Sequence, residues 1–373
     1  MSKVKSFRIL WKKRLVVTVA IALLSLGGIA HADVFDLGPG LTNLETVSVG
    51  QLNNSPHGAG YGAVAYPYDM GKYEVTSAQY VDFLNNKAQV SDPYGLWNSD
   101  MVATAEWESC NIVREGDGPY TYSVAADYAN RPVVFVSFWD TARFSNWLHN
   151  GQGAGDTETG SYTLNGYMGD DPTMIQRNPG ATWVVPTGEE WVKAGHYRKD
   201  GHPAMYYWLY GTDSSGNPSN RVEPGDAFGN NANFWGPEDN HRWTIGPPYY
   251  RTEVGAFSGP PITDSPYGLY DFSGNVQEWT ETIGRDPNDY NVEVPGTLLV
   301  RGGAYSSGRD RLRRADWENI APDVENAPGL VPSWASEHYA RTGFRVARVP
   351  EPSSLVLLAA GVVGLLACPR KRK

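Results

Sequence analysis

The sequence predicts a single α+β domain with little regular secondary structure, and three observations support this prediction. The chain has 373 residues, and its 41 glycines and 26 prolines favour turns and loops over long elements. Its 13 tryptophans and 22 tyrosines supply large rings that can cover irregular backbone while their polar tips find partners. Short apolar runs alternate with long polar stretches without a repeat of fixed period. We therefore expect few helices and several short strands around one aromatic core.

The helices are predicted from their first turns. Three segments place a hydroxyl side chain three positions before a side chain that can bond back to it, which is the pattern of a capping box. Apolar residues at helical spacing follow each pair. The three pairs are Thr76 and Gln79, Ser137 and Asp140, and Thr187 and Glu190. Short strands are predicted at residues 46–52, 68–73, 131–136, 183–185, 297–301 and 343–349, and further short strands within residues 91–130.

The N-terminal end carries a signal for transport. Basic residues precede an apolar segment at residues 15–29, and Ala-His-Ala at residues 30–32 has the small-x-small pattern of a cleavage site. We interpret residues 1–32 as a signal peptide and the protein as exported. The alternative is an uncleaved membrane anchor.

The C-terminal end, residues 349–373, combines Pro-Glu-Pro at residues 350–352, an apolar run at residues 355–367 and four final basic residues. About 20 apolar residues usually span a membrane, so this run predicts a short transmembrane helix that attaches the chain only transiently. The order resembles the PEP-CTERM sorting signal. That resemblance implies exosortase-type sorting machinery and a destination at the cell surface, in the outer envelope or outside the cell. The alternative is a plain C-terminal membrane tail.

Between the two ends we expect an N-terminal lead-in, residues 33–65, and one domain, residues 66–348. The chain has 31 basic and 41 acidic residues, and the two ends carry ten of the basic ones, so the retained part has 21 against 41 when Glu351 is counted as retained. Such a surface repels phosphate backbones, which argues against a nucleic acid partner. Cys368 leaves with the C-terminal end, so Cys110 has no intrachain partner and is predicted to be buried and inert.

The densest pattern of chemistry is the central turn, residues 267–280, which reads Tyr-Gly-Leu-Tyr-Asp-Phe-Ser-Gly-Asn-Val-Gln-Glu-Trp-Thr. Asp271 and Glu278 lie on either side of a Gly-Asn pair, so both carboxylates can converge on one hard cation, with backbone carbonyls as further ligands. This arrangement predicts a calcium site. The alternative is a buried turn whose acids only cap a helix.

Several motifs resemble those of the formylglycine-generating enzyme family, the sulfatase-modifying factors. Besides the central turn, they are Met-Gly-Lys-Tyr-Glu-Val-Thr at residues 70–76, Val-Pro-Thr-Gly-Glu-Glu-Trp at residues 185–191, Arg-Gly-Gly-Ala-Tyr at residues 301–305 and Gly-Phe-Arg-Val-Ala-Arg at residues 343–348. Together they span about residues 71–348. The resemblance implies a formylglycine-generating-enzyme-like fold with a C-type-lectin-like core, in agreement with the α+β prediction. It says less about function, because one fold hosts unrelated activities.

The resemblance also implies a copper site that this chain does not reproduce. In the family, two cysteines after the Arg-Gly-Gly motif bind copper(I), and the enzyme oxidises a substrate cysteine with dioxygen. The corresponding positions here hold Ser307 and Leu312. Neither side chain offers the soft thiolate that copper(I) requires, so copper is not expected as a cofactor.

The family's calcium positions are better matched. The positions of one family calcium site correspond to Asp271, Gly274, Val276 and Glu278. A second family site begins at an Asn-aliphatic pair that matches Asn233, but its aspartate falls near Gly246. We therefore expect calcium at the central turn and treat Asn233 as an incomplete second site.

The family's active-site groove falls on the charged segment that follows residue 300. The residues that we assign to it are Arg301, Tyr305, Arg309, Arg313 and Arg314. Such a cleft would bind an acidic or sugar-like ligand. The alternative is a salt-bridged surface loop, because most charge runs are solvated.

These observations lead to three hypotheses of function. The first is a calcium-stabilised binding or scaffold module that holds a peptide or glycan of the envelope and has lost the copper cysteines of its fold. The second is a protein-modifying oxidoreductase of the formylglycine-generating type with an altered site around Tyr305, Ser307 and the arginines. The third is a purely structural role in the extracellular matrix, which would be favoured if the protein's own loops filled the groove.

Overall fold

Three small sheets and four helices make up the regular structure in the described part of the chain. The computed structural model describes residues 40–57, 61–102, 108–171, 176–201, 205–222, 229–236, 242–259, 262–286, 289–314, 331–334 and 338–349. They lie within one compact unit, Asp33–Lys373. The predicted signal peptide and the apolar run at residues 355–367 fall outside the described residues. Within the described residues, no helix has the length and apolar character needed to cross a membrane.

Three of the four helices begin where the capping boxes predict. At Thr76, Ser137 and Thr187 the hydroxyl oxygen accepts a hydrogen bond from the amide three residues on, and that residue's side chain accepts one in return. The second helix lies in a segment where the sequence predicted only short strands. The helices are α1 (Ser77–Lys87), α2 (Ala126–Ala129), α3 (Phe138–His149) and α4 (Gly188–His196), and short 3-10 turns cover Ser99–Met101 and Arg309–Leu312.

The strands of the first two sheets are short and antiparallel. The first sheet has the order β1-β2-β10-β5, and the second is the hairpin β3-β4. These strands are β1 (Thr46–Val49), β2 (Tyr68–Gly71), β3 (Ile112–Glu115), β4 (Thr121–Val124), β5 (Trp183–Val184) and β10 (Ala347–Arg348).

The third sheet follows directly from the central turn. Its order is β8-β7-β6-β9, and β9 alone runs parallel to its neighbour β6. Its strands are β6 (Gln277–Asp286), β7 (Asp289–Arg301), β8 (Val331–Trp334) and β9 (Thr342–Gly343). Because Glu278 pairs with Arg301 in the register of β6 and β7, the sheet brings the central turn beside the start of the predicted groove.

The predicted strand at residues 131–136 is wrong. Pro132 forms a single bridge with Thr76, and Phe135 has a φ of +60°, which breaks an extended chain. The amide of Val133 donates to the carbonyl of Val75 rather than to a neighbouring ladder. The segment is nevertheless deeply buried. Its apolar residues therefore indicate burial and not the geometry of a strand.

The predicted lead-in contributes a strand to the domain. Residues 46–49 of β1 pair in antiparallel register with residues 68–71 of β2. The boundary that the sequence placed at residue 66 therefore separates two hydrogen-bonded strands. Tyr61 and Val64, between them, are also buried.

Aromatic rings form the centre of the core, as the composition predicts. Tyr80 and Phe83 of α1 contact Phe144 and Trp147 of α3, with ring centroids between 5.3 and 6.2 Å apart. Trp279 of β6 donates from Nε1 to the carbonyl of Val136 at 2.9 Å. Each fully buried ring of this size contributes roughly 2–3 kcal/mol. This packing fixes β6, which carries Glu278, relative to the helices.

Candidate functional site

The central turn folds back tightly because its residues tolerate positive φ. Asp271, Gly274 and Asn275 have φ values of +64°, +91° and +62°. A Cβ on Gly274 would lie 2.1 Å from the carbonyl oxygen of Asn233, so only glycine fits there. That carbonyl accepts a hydrogen bond from the amide of Asn275 at 2.8 Å. The turn therefore sits directly against the segment that carries Asn233.

Asn275 connects three segments of the chain. Its Nδ2 donates to Glu74 Oε2 at 2.8 Å, and its Oδ1 accepts from Asn233 Nδ2 at 2.9 Å and from the amide of Thr252 at 3.0 Å. Glu74 is fully buried, and burial raises the pKa of its carboxyl, with the charges of Asp271 and Glu278 adding to the shift. Sequence reasoning missed Glu74 as a site residue. Nothing in the sequence around Glu74 indicates that its carboxylate binds Asn275.

Glu278 forms a buried ion pair with Arg345. Both side chains have no exposed surface, and Arg345 donates from Nε and Nη2 to the two carboxylate oxygens at 2.6 Å each. Trp191 Nε1 adds a third hydrogen bond to Glu278 at 2.9 Å. The Arg345 guanidinium also lies 3.9 Å from the ring centroid of Phe272. Glu278 thus anchors Arg345, a role that the sequence did not indicate.

The residues of the predicted calcium set differ in how well they fit a hard cation. Asp271 accepts from the amide of Gly255 at 2.6 Å through Oδ2, and burial raises the pKa of its carboxyl to about 6. The side-chain oxygen of Asn233 is buried and has no hydrogen-bond partner among the described residues. These two oxygens suit calcium, whereas the charge of Glu278 is balanced by Arg345. Among the described residues, no three His, Cys, Asp or Glu side chains are grouped so as to hold a metal.

The two positions that carry copper ligands in the resembling family have structural roles here. Ser307 Oγ accepts a hydrogen bond from the amide of Ala304 at 2.9 Å and closes a local turn. Leu312 has no exposed surface and packs in a small apolar cluster with Tyr210, Ala232 and Phe234. Cys110, the one cysteine among the described residues, is buried, and burial raises the pKa of its thiol.

Two of the predicted groove residues are not on an open surface. Arg301 and Tyr305 are each 1% exposed. The ring of Tyr61, from the predicted lead-in, lies 4.7 Å from the Arg301 guanidinium, and Tyr305 packs on Tyr250 with ring centroids 5.5 Å apart. Residues of the same chain thus cover both side chains, and the ligand groove assigned to them stays a prediction.

The other three groove residues are partly exposed. Arg313 pairs with Asp310 at 2.8 Å and donates to the hydroxyl of Tyr210 at 3.1 Å. Arg314 donates to the carbonyl of Tyr207. The guanidinium of Arg309 lies 5.4 Å from the ring centroid of Phe234. The salt-bridged loop considered as an alternative is thus present at Arg313, on a segment that carries three further arginines.

His196 is a buried residue near this segment that sequence reasoning did not select. It has no exposed surface, and its Nε2 has no hydrogen-bond partner among the described residues. Burial lowers the pKa of its imidazole to about 3, and the charges of Arg314 and Arg301 add to the shift. The ring is therefore neutral at physiological pH. Its position at the end of a capped helix gives no sequence signal of this environment.

Comparison with known proteins gives two family matches. Residues 47–348 match the sulfatase-modifying factor enzyme 1-like domain, and residues 348–372 match the PEP-CTERM protein-sorting motif. The sorting motif indicates export and sorting to the cell surface, and it implies exosortase-type machinery. The match of residues 47–348 to the domain family also confirms the predicted fold class. No curated protein matches the chain.

Solved structures similar to the chain include three proteins of low sequence identity. Treponema denticola variable protein 1 is 16% identical, with a TM-score of 0.42, and the match covers 85% of this chain and 99% of that one. CarF is 20% identical with a TM-score of 0.43, over 82% and 98% of the two chains. PvdO from Pseudomonas aeruginosa is 15% identical with a TM-score of 0.40, over 86% and 98%.

The domain match spans most of the chain, and it includes the central turn, the Arg-Gly-Gly motif and residues 47–49 of β1. The match beginning at residue 47 also agrees with the pairing of β1 and β2. The chain belongs to the family of sulfatase-modifying factor enzyme 1-like domains.

Proposed function

We propose that this protein is an exported, surface-sorted binding or scaffold module that uses the sulfatase-modifying-factor fold without its copper chemistry. The observation that carries the proposal is the environment of Leu312. A leucine packed among Tyr210, Ala232 and Phe234 fills the second copper position with apolar atoms. Copper(I) needs soft sulfur donors, and the hydroxyl of Ser307 at the first position is a poor substitute.

The segment at residues 309–314 supports binding of an acidic ligand. It reads Arg-Asp-Arg-Leu-Arg-Arg, so four arginines and one aspartate occur within six residues of an otherwise acidic chain. Guanidinium groups bind carboxylates in bidentate geometry. We infer that the ligand is a carboxylate-bearing peptide or glycan of the cell envelope or the extracellular space.

Calcium is the cofactor that we propose for this module. Its donors would come from Asp271, from the carbonyls of Gly274 and Val276 and from Glu278, which shares its carboxylate with Arg345. The unpartnered side-chain oxygen of Asn233 among the described residues supports a second contribution from the neighbouring segment. The ion would supply positive charge to a turn that holds more buried acids than buried bases.

Binding of polygalacturonate and poly-L-glutamate, measured by calorimetry at low salt, tests the ligand class. We expect Arg309→Gln to weaken binding by roughly fivefold, or about 1 kcal/mol, because one guanidinium is lost. Arg114→Gln, which removes an exposed arginine of β3, serves as the matched control and should leave the affinity unchanged. Equal losses in both variants would indicate non-specific charge attraction and contradict the proposed site.

Oxygen uptake with a cysteine-containing sulfatase peptide separates binding from the alternative oxidoreductase. We expect no uptake above the rate without protein, even with copper(I) supplied. Uptake that depends on the peptide would overturn the proposal and favour a protein-modifying enzyme with an altered site.

A further inference from the structure

A cavity of about 370 Å³ lies between the first turn of α3 and the loop at residues 163–169. It shares no residue with the central turn or with the segment at residues 301–314. Its volume lies in the range of small-molecule sites in proteins. The lining residues are Trp139, Thr163, Leu164, Asn165, Gly166 and Tyr167.

The walls of this cavity are fixed by hydrogen bonds and ring contacts. Trp139 Nε1 donates to the carbonyl of Gly169 at 2.8 Å, and its ring meets Tyr167 edge to face with centroids 4.9 Å apart. The Tyr167 hydroxyl accepts from the amide of Asp171 at 2.9 Å. The amide of Gly166 donates to Glu158 Oε2 at 2.6 Å. The loop is therefore held in place before any ligand arrives, which lowers the entropic cost of binding.

The charged side chains beside this loop, Arg143 and Glu158, bind each other. Arg143 pairs with Glu158 through Nε–Oε1 at 2.7 Å and Nη2–Oε2 at 3.2 Å, and Nη2 also donates to the carbonyl of Tyr167 at 3.1 Å. None of the six lining residues carries a charge. Asp170 and Asp171, exposed at the end of the loop, disfavour an anion at the mouth. The cavity is therefore suited to a neutral ligand.

Apolar and polar groups are arranged on different parts of the lining. Leu164 and the rings of Trp139 and Tyr167 form the wall, while Thr163 and Asn165 are exposed at the rim. Asn165 has a φ of +49°, which turns the loop, and its amide offers one donor group and one acceptor. A pyranose sugar has the matching form, with an apolar C–H face and a rim of hydroxyl groups.

We propose that this cavity binds a neutral monosaccharide unit of an extracellular glycan. The ring of Tyr167 contacts the C–H face of the sugar, and the amide of Asn165 exchanges hydrogen bonds with its hydroxyls. The site is independent of the acidic-ligand segment proposed above, so either site can fail while the other stands.

Saturation-transfer NMR of the full-length protein with the methyl glycosides of glucose, galactose and N-acetylglucosamine, each tested alone, examines the proposal. We expect at least one glycoside to bind with a dissociation constant of about 1 mM or below. Asn165→Gly keeps the positive φ and removes the amide, and it should weaken binding about tenfold. Asn53→Gly is the matched control, because Asn53 is also exposed with a φ of +56°, and it should not change binding.

Tyr167→Leu provides a second variant, which removes the aromatic contact and keeps an apolar wall. Loss of binding in both variants, with thermal unfolding like that of the wild type, supports the site. The proposal is overturned if no neutral glycoside binds, if a methyl uronate anion binds more tightly than every neutral glycoside, or if Asn165→Gly binds as well as Asn53→Gly.

Discussion

Two arginines, Arg345 and Arg177, each bind a carboxylate through two nitrogens but in different surroundings. Arg345 and its partner Glu278 have no exposed surface, whereas the side chain of Arg177 is 19% exposed. Near Arg345 there are two further acids, the buried Glu74 and the half-buried Asp271. Three carboxylates thus face one guanidinium on that side of the molecule.

Around Arg177 the acidic side chains outnumber the basic ones by less. Its Nη1 and Nη2 bond to Glu190 at 2.9 and 2.7 Å, and its Nε lies 2.7 Å from Glu281. Tyr162 donates to the other oxygen of Glu281 at 2.7 Å. Burial raises the pKa of Glu281 to about 7, although Arg177 opposes the shift.

The comparison shows two ways to relieve buried negative charge. Around Arg177, one proton on Glu281 restores the balance of two acids and one base. Around Arg345 the excess is larger, so a bound cation is the more effective remedy. This difference is the physical reason for proposing calcium at the central turn rather than at the Arg177 cluster.

The largest effect is expected from Arg345→Met, because it leaves Glu278 buried without its partner. We predict a loss of about 3–5 kcal/mol in the free energy of unfolding, measured by urea denaturation. Arg341→Met is the matched control, since Arg341 is half exposed and pairs with Glu108 at 3.1 Å. It should cost less than about 1 kcal/mol. Similar small losses in both variants would contradict the importance of the buried pair.

Leu312→Ala tests whether the second copper position has become part of the apolar core. We predict a loss of about 3 kcal/mol in unfolding free energy, because a fully buried leucine is replaced by a cavity. Leu52→Ala removes the same atoms from a side chain that is 52% exposed and should change stability by less than about 0.5 kcal/mol. A neutral Leu312→Ala would mean that the site is open enough to accept a ligand.

The Arg177 cluster predicts a pH dependence of stability. The folded protein holds a proton on Glu281 up to about pH 7, above the ordinary value of 4.5, so its contribution to stability is complete at low pH. That contribution is lost as the pH rises towards and through 7. Glu281→Gln cannot lose a proton and should reduce the decline between pH 5 and pH 8 by about 2 kcal/mol in urea unfolding.

Glu115→Gln, at an exposed position of β3, is the control for this pH experiment. Its stability profile should follow that of the wild type. A wild-type profile that rises between pH 5 and pH 8, with no change in Glu281→Gln, would contradict the balance described for Arg177.

The smallest effect is the stabilisation by calcium. At tenfold excess over its dissociation constant, calcium should add about 1.4 kcal/mol to the free energy of unfolding. Asp271→Asn should abolish this increment, because it removes the negative charge of the proposed ligand. Asp213→Asn makes the same change at another residue of positive φ and should retain the increment. Equal calcium responses in the two variants would place the ion elsewhere.

Local features of the fold could be predicted from the sequence, and distant partners could not. The capping boxes at Thr76, Ser137 and Thr187 need only four residues, and the central turn is specified by Gly274 and Asn275. By contrast, the partner of Glu278 lies 67 positions away. Its identity depends on the whole fold.

The burial of two predicted groove residues could not be read from the sequence for the same reason. The arginines after residue 300 were recognised as a charged segment, but the coverage of Arg301 depends on Tyr61, far earlier in the chain. The Asn275–Glu74 hydrogen bond joins residues 201 positions apart. No pattern in the neighbourhood of either residue encodes such contacts.

Above all, we propose that this member of the family works without copper at Ser307 and Leu312. Elemental mass spectrometry of the purified protein, after exposure to copper(I) and calcium and removal of loosely bound metal, tests it most directly. We predict bound calcium and no copper above the level of the Leu312→Ala variant. One copper per wild-type chain would contradict it, because the two positions would then form a metal site that their side chains do not explain.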